Sequence, residues 1–410
     1  MLPRVPRRPL LLAGALALIA GLVTPAVARQ PAGTALSRLG VGHVWLINVE
    51  NKSYAETYGG ATPTYLNSTL RRQGVLLEQY YGIGHLSLDN YIAQLSGQAP
   101  TLLTQSDCQV YVDVVPGVAG PDGQAIGQGC VYPASVKTLP DQLDAVGKTW
   151  KGYMEDMGND PSREPDRCGA PPLDPTNGMR DGTQTATATD QYAARHNPFV
   201  YFHSILDRTY GDAPNHATCV TNVVPLTALA TDLAKKPADV PNFNLITPNL
   251  CDDGHDDPCV GKDVDGGTAS GLKAVDLWLQ KYIPMIEASR AFQQDGLIIV
   301  SGDEAESSDS TSCCNEQSGY DTPLAGGGGI TSGSPGPGGG RIGTLVIGHG
   351  VKPDSTSTTA YNHYSLLRSL EDLFGVTTGG ADGQGHLGYA GATGLVPFGK
   401  DVFQAAKGAF

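Results

Sequence analysis

Charge is scarce in this chain. Only 17% of its 410 residues are Asp, Glu, Lys or Arg, and the positive share is the smaller, 27 Lys and Arg against 41 Asp and Glu. The net charge of −14 removes the general electrostatic attraction on which nucleic-acid and anionic-membrane binding rest. Neither is expected as a partner. No basic amphipathic helix is present to lie on a membrane surface, and beyond the N-terminus no apolar run is long enough to span one. No repeated C-x-x-C pair occurs, which argues against a zinc cluster. No internal repeat is found.

What is abundant is Gly, at 53, and Pro, at 29, beside 40% hydrophobic residues. The chain has enough apolar content for a packed core, interrupted by many loops. Its length exceeds the roughly 250–300 residues at which single cores usually stop growing, so one large domain with insertions and two domains both fit. We take residues 29–410 as a single domain, with insertions near 98–136, 158–184 and 325–341.

The N-terminus reads as an export leader. Arg4, Arg7 and Arg8 form a basic stretch, Leu10 to Val23 an apolar core, and Ala26-Val27-Ala28 a small-residue cleavage site. Cleavage is expected after Ala28, giving a secreted protein of net charge about −17; an uncleaved anchor is the alternative. Arg7-Arg8 leaves the general and twin-arginine export routes both open. Eight cysteines suit an oxidising compartment. Spacing suggests the loop closures Cys108–Cys130 and Cys251–Cys259, and the adjacent Cys313 and Cys314 are expected to pair with separate partners.

Short apolar runs alternate with helical patterns. Val44–Val49, Val75–Tyr81, Thr149–Met154, Phe243–Asn249, Leu297–Val300 and Thr344–Ile347 read as strands. Helices are expected over Thr64–Gln73, Leu139–Val146, Leu226–Ala234, Gly271–Phe292 and Ser365–Phe374, the last stopped by Gly375. This order predicts an α/β fold, a largely parallel sheet with helices on both faces. Ligands of such sheets sit beyond the carboxyl ends of the strands. Glu50, Asn51, Asp303 and Glu304 fall there, and Ser87 follows the turn after a strand. On its own residues Ser87 is a helix cap or a nucleophile, and Asn51 or Ser53 equally a cap.

The loop Asp252-Asp253-Gly254-His255-Asp256-Asp257 offers oxygen ligands and one imidazole to a divalent ion, or is a solvated acidic loop. The apolar run Asn197–Phe202 is expected near the site. His43, His196, His216, His349 and His386 read as structural or surface residues, and Trp45, Trp150 and Trp278 as core. Three carboxylates crowded at one sheet edge would repel unless a cation held them. A divalent metal there would also bind the serine oxygen and favour its alkoxide.

Glu50-Asn51-Lys52-Ser53-Tyr54 resembles the E-N-x-S-[FY] motif of the phospholipase C / acid phosphatase phosphoesterases in the alkaline phosphatase superfamily. Ser87-x-x-Asn90-Tyr91 with Ser96-Gly97, Pro248-Asn249 through Asp256, Asp303-Glu304, and Asn362-His363-Tyr364-Ser365 before Arg368 and Glu371-Asp372 are similar to that family, in the expected order. The resemblance implies an α/β/α sandwich of alkaline phosphatase type. It implies a phosphoserine intermediate on Ser87 and metal ligation by Glu50, Asn51, Ser87, Asp303 and Glu304. His255 and His363 would contact the phosphate or protonate the leaving oxygen, and Asn90 and His85 would bind substrate. Asp252 and Asp256 would support His255 or hold a second metal. A carboxylate-dominated set favours Mg²⁺, Mn²⁺ or Ca²⁺ over Zn²⁺.

The form of the Ser87 turn favours a phosphomonoesterase of the acid phosphatase branch acting on a small phosphate ester. A phospholipase C-like diesterase is the alternative, and a non-catalytic metal-stabilised binding protein the rival from another class. No C/S-x-P-x-R segment is present, against a sulfatase. Substrate identity and oligomeric state are not legible.

Overall fold

Along the strand β1 (His43–Val49) every residue is buried, and alternate side chains enter two different cores. Val44 and Leu46 join one apolar cluster, and Trp45, Ile47 and Val49 the other. A strand covered on both faces belongs at the centre of a parallel sheet. The computed structural model, which describes Met1 and residues 34–404 apart from 61, 63, 207–216 and 318–337, places it there. The export leader, His216 and most of the 325–341 loop lie outside the described residues. The chain divides into two compact units, Met1–Ala32 and Gly33–Phe410, and the sheet, its helices and the candidate site all belong to the second.

The main sheet contains β1, β2 (Gly74–Leu77), β3 (Trp150–Met154), β4 (Val223–Pro225), β5 (Phe243–Thr247), β6 (Gly296–Gly302), β7 (Thr344–Gly348) and β8 (Ser355–Ser357). They lie side by side in the order β8-β2-β7-β6-β1-β5-β3-β4. Only β7 is antiparallel to its neighbours; the remaining pairs are parallel. The α/β class expected from the alternation is the one that forms. β1 lies between β5 and β6, in register from Val44 with Phe243 and Leu297, so the carboxyl ends of these three strands open onto one place.

On one face of the sheet pack α1 (Ser87–Ser96) and α5 (His363–Phe374), through Leu88, Ile92, Leu95, Leu366, Leu367 and Leu370. On the other lies α3 (Gly271–Glu287), which buries Val275, Trp278, Leu279, Ile283 and Ile286 at helical spacing. Each such side chain contributes roughly 1.5–3 kcal/mol of gross transfer energy. The helix expected over Gly271–Phe292 is two. α3 stops at Glu287, and Ser289 caps α4 (Arg290–Asp295) by accepting from the Phe292 amide at 3.2 Å. A Ser in an otherwise periodic run supplies its own hydroxyl as an alternative backbone partner and so restarts the helix. The helix α2 (Leu139–Ala145) is capped by Thr138.

The strand expected over Val75–Tyr81 is also divided. β2 ends at Leu77, and Tyr80–Tyr81 pairs with Tyr361–Asn362 in a separate small sheet. Residues 98–136 hold a hairpin, Val115–Ala119 with Ala125–Gln128, within the insertion. The disulfides Cys108–Cys130 and Cys251–Cys259 form as expected, together with Cys168–Cys219. Cys313 and Cys314 are a correction, because they pair with each other. Cys314 and Asn315 turn with positive φ, 68° and 55°, and no cysteine is free among the described residues.

Candidate active site

Ser87 is the first residue of α1, and neither it nor the preceding residue caps the helix through a side chain. The cap position belongs to Leu86, whose φ of 74° is costly for a residue with a Cβ. The surroundings hold that conformation in place. The Leu86 amide donates to both oxygens of Glu304, each at 3.1 Å. Asn90, one turn further on, accepts from the Ile83 and Gly84 amides at 2.7 and 3.2 Å and donates to the Gly84 and Leu86 carbonyls. Freed from capping, the Ser87 hydroxyl donates to Glu50 Oε2 at 2.8 Å.

Glu50 stands just beyond β1 and is wholly buried. Its amide donates to the Asp253 carbonyl at 2.8 Å, and the Asp303 amide to the Val49 carbonyl at 3.1 Å, so the ends of β1 and β6 and the loop after β5 are stitched together. Tyr91, one helical turn after Ser87 and hence on the same face, donates its hydroxyl to the other oxygen of Glu50. The Tyr91 ring stacks on His196, centroids 5.4 Å apart and planes within 10°. His196 Nε2 lies 3.4 Å from Glu50 Oε2, and its Nδ1 3.2 Å from Asp253 Oδ2. Ligand atoms of Glu50, His196 and Asp253 fall within 4.8 Å of one another. Asp303 Oδ1 accepts from the Asn51 amide at 3.1 Å.

These groups are poorly reconciled with each other. Burial drives the Glu50 carboxyl well above its ordinary range, and the neighbouring Asp303 and Asp253 carboxylates push it further. Burial raises Asp253 and Asp303 as well. It lowers His196 well below the usual imidazole range, helped by Arg195 and His255. Asn51 Oδ1, His196 Nε2, Asp253 Oδ2 and Asp303 Oδ2 are all buried without a hydrogen-bond partner. An unmade buried bond costs about 1–3 kcal/mol each. Of these residues, His196 and Asp253 together with Glu50 form a group that could hold a positively charged ligand. A divalent cation fits it: oxygen donors and one neutral imidazole, as such ions require.

The other expected residues are placed differently. Glu304 and His85 face each other across 2.5 Å, and His85 Nε2 bonds the Asp309 carbonyl at 3.0 Å. With the Leu86 amide on Glu304, both side chains hydrogen-bond within and around the turn before Ser87. Asn90 spends its amide on the same turn. His363, buried, donates from Nε2 to the Asp303 carbonyl at 2.7 Å, while Nδ1 meets Tyr80 and Gln94 at 3.1 Å. Nε2 holds the Asp303 backbone while Nδ1 is taken up by the Tyr80 and Gln94 side chains, and burial lowers its pKa to about 4. The half-buried His255 sits at the rim, its ring centroid 5.9 Å from that of His196. Asp256 accepts from its Nδ1 at 2.8 Å.

Asp252 points elsewhere. It accepts from the Val264 amide at 3.0 Å and lines a separate recess of about 260 Å³ with Glu155, Asp156 and Lys281.

Sequence reasoning missed His196 and Tyr91 as site residues, and within the acidic loop it favoured Asp252 and Asp256 where Asp253 is the carboxylate beside His196. His196 directly precedes the apolar run already expected near the site, and its neighbour Asn197 opens it. Against the expectation of a structural or surface histidine, His196 is buried between Glu50 and Asp253, where it could serve as a ligand. Tyr91 was legible from its four-residue spacing to Ser87.

A buried serine hydroxyl at a helix start thus donates to a buried carboxylate at the carboxyl edge of an α/β sheet, beside an imidazole that stands between two carboxylates. The profile of the Phosphoesterase family matches residues 44–377, and the chain belongs to that family. It is 23% identical over 75% of its length to a phosphate-repressible acid phosphatase of Penicillium chrysogenum, covering 54% of that protein. A probable acid phosphatase of Kluyveromyces lactis is 22% identical over 80% of this chain and 56% of its own. The chain thus spans about half the length of the curated relatives it matches. Among solved structures, a protein in the alkaline phosphatase superfamily from Vibrio parahaemolyticus aligns with a TM-score of 0.43 and 13% identity over 82% of this chain and 67% of its own.

Proposed function

We propose that this protein is a secreted phosphoric ester hydrolase that cleaves small phosphomonoesters through a phosphoserine on Ser87, with a divalent cation held by Glu50, Asn51, His196, Asp253 and Asp303. The observation that carries the reading is the Ser87 hydroxyl, directed at Glu50 beside four buried donor atoms that lack partners. Membership of the Phosphoesterase family and likeness to acid phosphatases support it, and four disulfides suit an oxidising, extracellular compartment.

When bound, the cation supplies charge that offsets the carboxylates and the phosphate and lowers the pKa of the serine hydroxyl. The protein's own groups do the rest. Tyr91 and Ser87 hold Glu50 between them, which fixes the hydroxyl's direction. Ser87 Oγ passes its proton to Glu50 Oε2, its hydrogen-bond partner, and forms the bond to phosphorus as the bond to the ester oxygen breaks; the departing oxygen leaves as an anion that takes its proton from water. Asp256 fixes His255 with its proton on Nδ1, so Nε2 carries a lone pair at the mouth of the site. That nitrogen takes the proton of the water that attacks the phosphoserine and regenerates Ser87. The imidazole in the donor set removes the argument against Zn²⁺ that an all-carboxylate set would supply, and the cation's identity stays open.

The test is turnover of para-nitrophenyl phosphate and bis-para-nitrophenyl phosphate by the purified protein and by Ser87→Ala, with and without chelator. Loss of at least about 10³-fold with Ser87→Ala, and loss with chelator, is expected. A fully active Ser87→Ala protein overturns the mechanism. A wild type that binds metal yet turns over neither ester favours the non-catalytic binding protein.

A further inference from the structure

Arg195 is 4% exposed, and its side chain is only partly satisfied. Nη1 donates to the Gln184 carbonyl at 3.1 Å, and Nη2 lies 3.4 Å from His255 Nε2. Nε is buried with no hydrogen-bond partner; its nearest carboxylate, Asp107 Oδ2, stands at 3.7 Å. The other oxygen of Asp107 accepts from the Leu88 amide at 3.0 Å, on the residue next to Ser87. The backbone of Arg195 leads directly into His196, and its charge acts on both His196 and Asp253. This guanidinium is therefore tied to the nucleophile's helix on one side and to the rim histidine on the other.

A planar fork with unspent donors is the group best shaped to take two phosphate oxygens. Lys52, the other cation beside the motif residues, is turned away: its Nζ bonds the Asn51 carbonyl at 3.3 Å and stands 3.7 Å from Glu306.

Resting on the phosphoesterase reading above, we propose that Arg195 is a substrate-positioning residue that grips the non-bridging oxygens of the phosphate and sets the preference for monoesters. A monoester at neutral pH is largely a dianion and a diester a monoanion. A fixed positive charge in a buried site stabilises the dianion by more, and the fork needs two free oxygens that a monoester presents in more orientations.

The experiment compares Arg195→Gln and Arg195→Lys with wild type on the two nitrophenyl esters. With Arg195→Gln, kcat/KM for the monoester should fall about 100-fold and for the diester less than about 5-fold; Arg195→Lys, keeping charge but not the fork, should lose about 10-fold on the monoester. Competitive inhibition by inorganic phosphate should weaken in parallel. Equal loss on both esters with unchanged phosphate inhibition overturns the proposal while leaving the hydrolase reading intact. Calorimetric titration of inorganic phosphate into Ser87→Ala and into Ser87→Ala/Arg195→Lys reads the same contact without turnover. Weaker binding in the double variant supports the grip, and equal or absent binding in both overturns it. A wild type silent on both esters defeats the hydrolase reading instead.

Discussion

Two polar regions flank Ser87, and they differ in how fully they are satisfied. On the turn side, His85, Asn90, Glu304 and His363 spend nearly every donor and acceptor on protein partners. On the pocket side, Asn51, His196, Asp253 and Asp303 each keep a buried atom with none. Both regions are rich in the residue types that chemistry uses, and of the residues named only Asn51 is partly exposed. A closed network is what a scaffold needs, whereas an open one is what the proposed cation would complete. Losing a residue from the first should therefore cost stability, and losing one from the second should cost function.

Asp253→Asn tests the open side and should have the largest effect. Removing one of three mutually repelling buried carboxylates is expected to abolish tight divalent-ion binding and cut turnover by about 10³-fold. The melting temperature of the metal-free protein should hold or rise, since the repulsion is relieved. Elemental analysis with calorimetry checks both. A variant that keeps its metal and its rate would remove Asp253 from the site. Asn90→Ala tests the closed side. It deletes partners of the Ile83 and Gly84 amides and of the Gly84 and Leu86 carbonyls, which at about 1 kcal/mol each costs about 4 kcal/mol, read from denaturant midpoints. Unchanged stability with a lost rate would move Asn90 to the substrate.

Chelation gives a smaller, reversible version of the same contrast. At a free cation concentration 100 times its Kd, the folded state gains about 2.7 kcal/mol, and the gain should vanish in Asp253→Asn yet survive in Asn90→Ala. Equal gains in both variants would mean that the ion sits elsewhere.

The fold was largely legible because β1 and β6 are apolar runs with no competing period, and their carboxyl ends carry Glu50 and Asp303 visibly. What the sequence hid was direction. Nothing in the spacing of His85, His363 and His196 says which ring turns inward to a carbonyl and which to a carboxylate; that is decided by tertiary partners such as Asp309, Asp303 and Glu50. The Ser87 cap failed for a similar reason. Leu86 takes the cap position in a strained conformation held by the Glu304 and Asn90 contacts. The pairing of Cys313 with Cys314 depends on a local left-handed turn that no spacing rule announces.

The finest distinction between the two regions is in their response to acid. His363 has a folded pKa of about 4 against 6.5 when unhindered, because burial disfavours its charged form. Between those values the unfolded chain binds a proton that the folded protein refuses, so the neutral ring's contribution is present above about pH 6.5 and is lost as the pH falls towards 4. At pH 5 the loss is about 2 kcal/mol, 1.36 kcal/mol for each unit below 6.5. The pocket carboxylates work the other way. Glu50, Asp253 and Asp303 have folded pKa values raised by burial, so without metal they favour the folded state as the pH drops towards the ordinary carboxylate range. His363→Gln keeps a donor for the Asp303 carbonyl and removes the titration. The stability deficit of this variant relative to metal-free wild type should therefore shrink by about 2 kcal/mol between pH 7.5 and 5. A deficit that stays constant across that range would mean that His363 is solvated and charged, and that the closed network on the turn side is not closed.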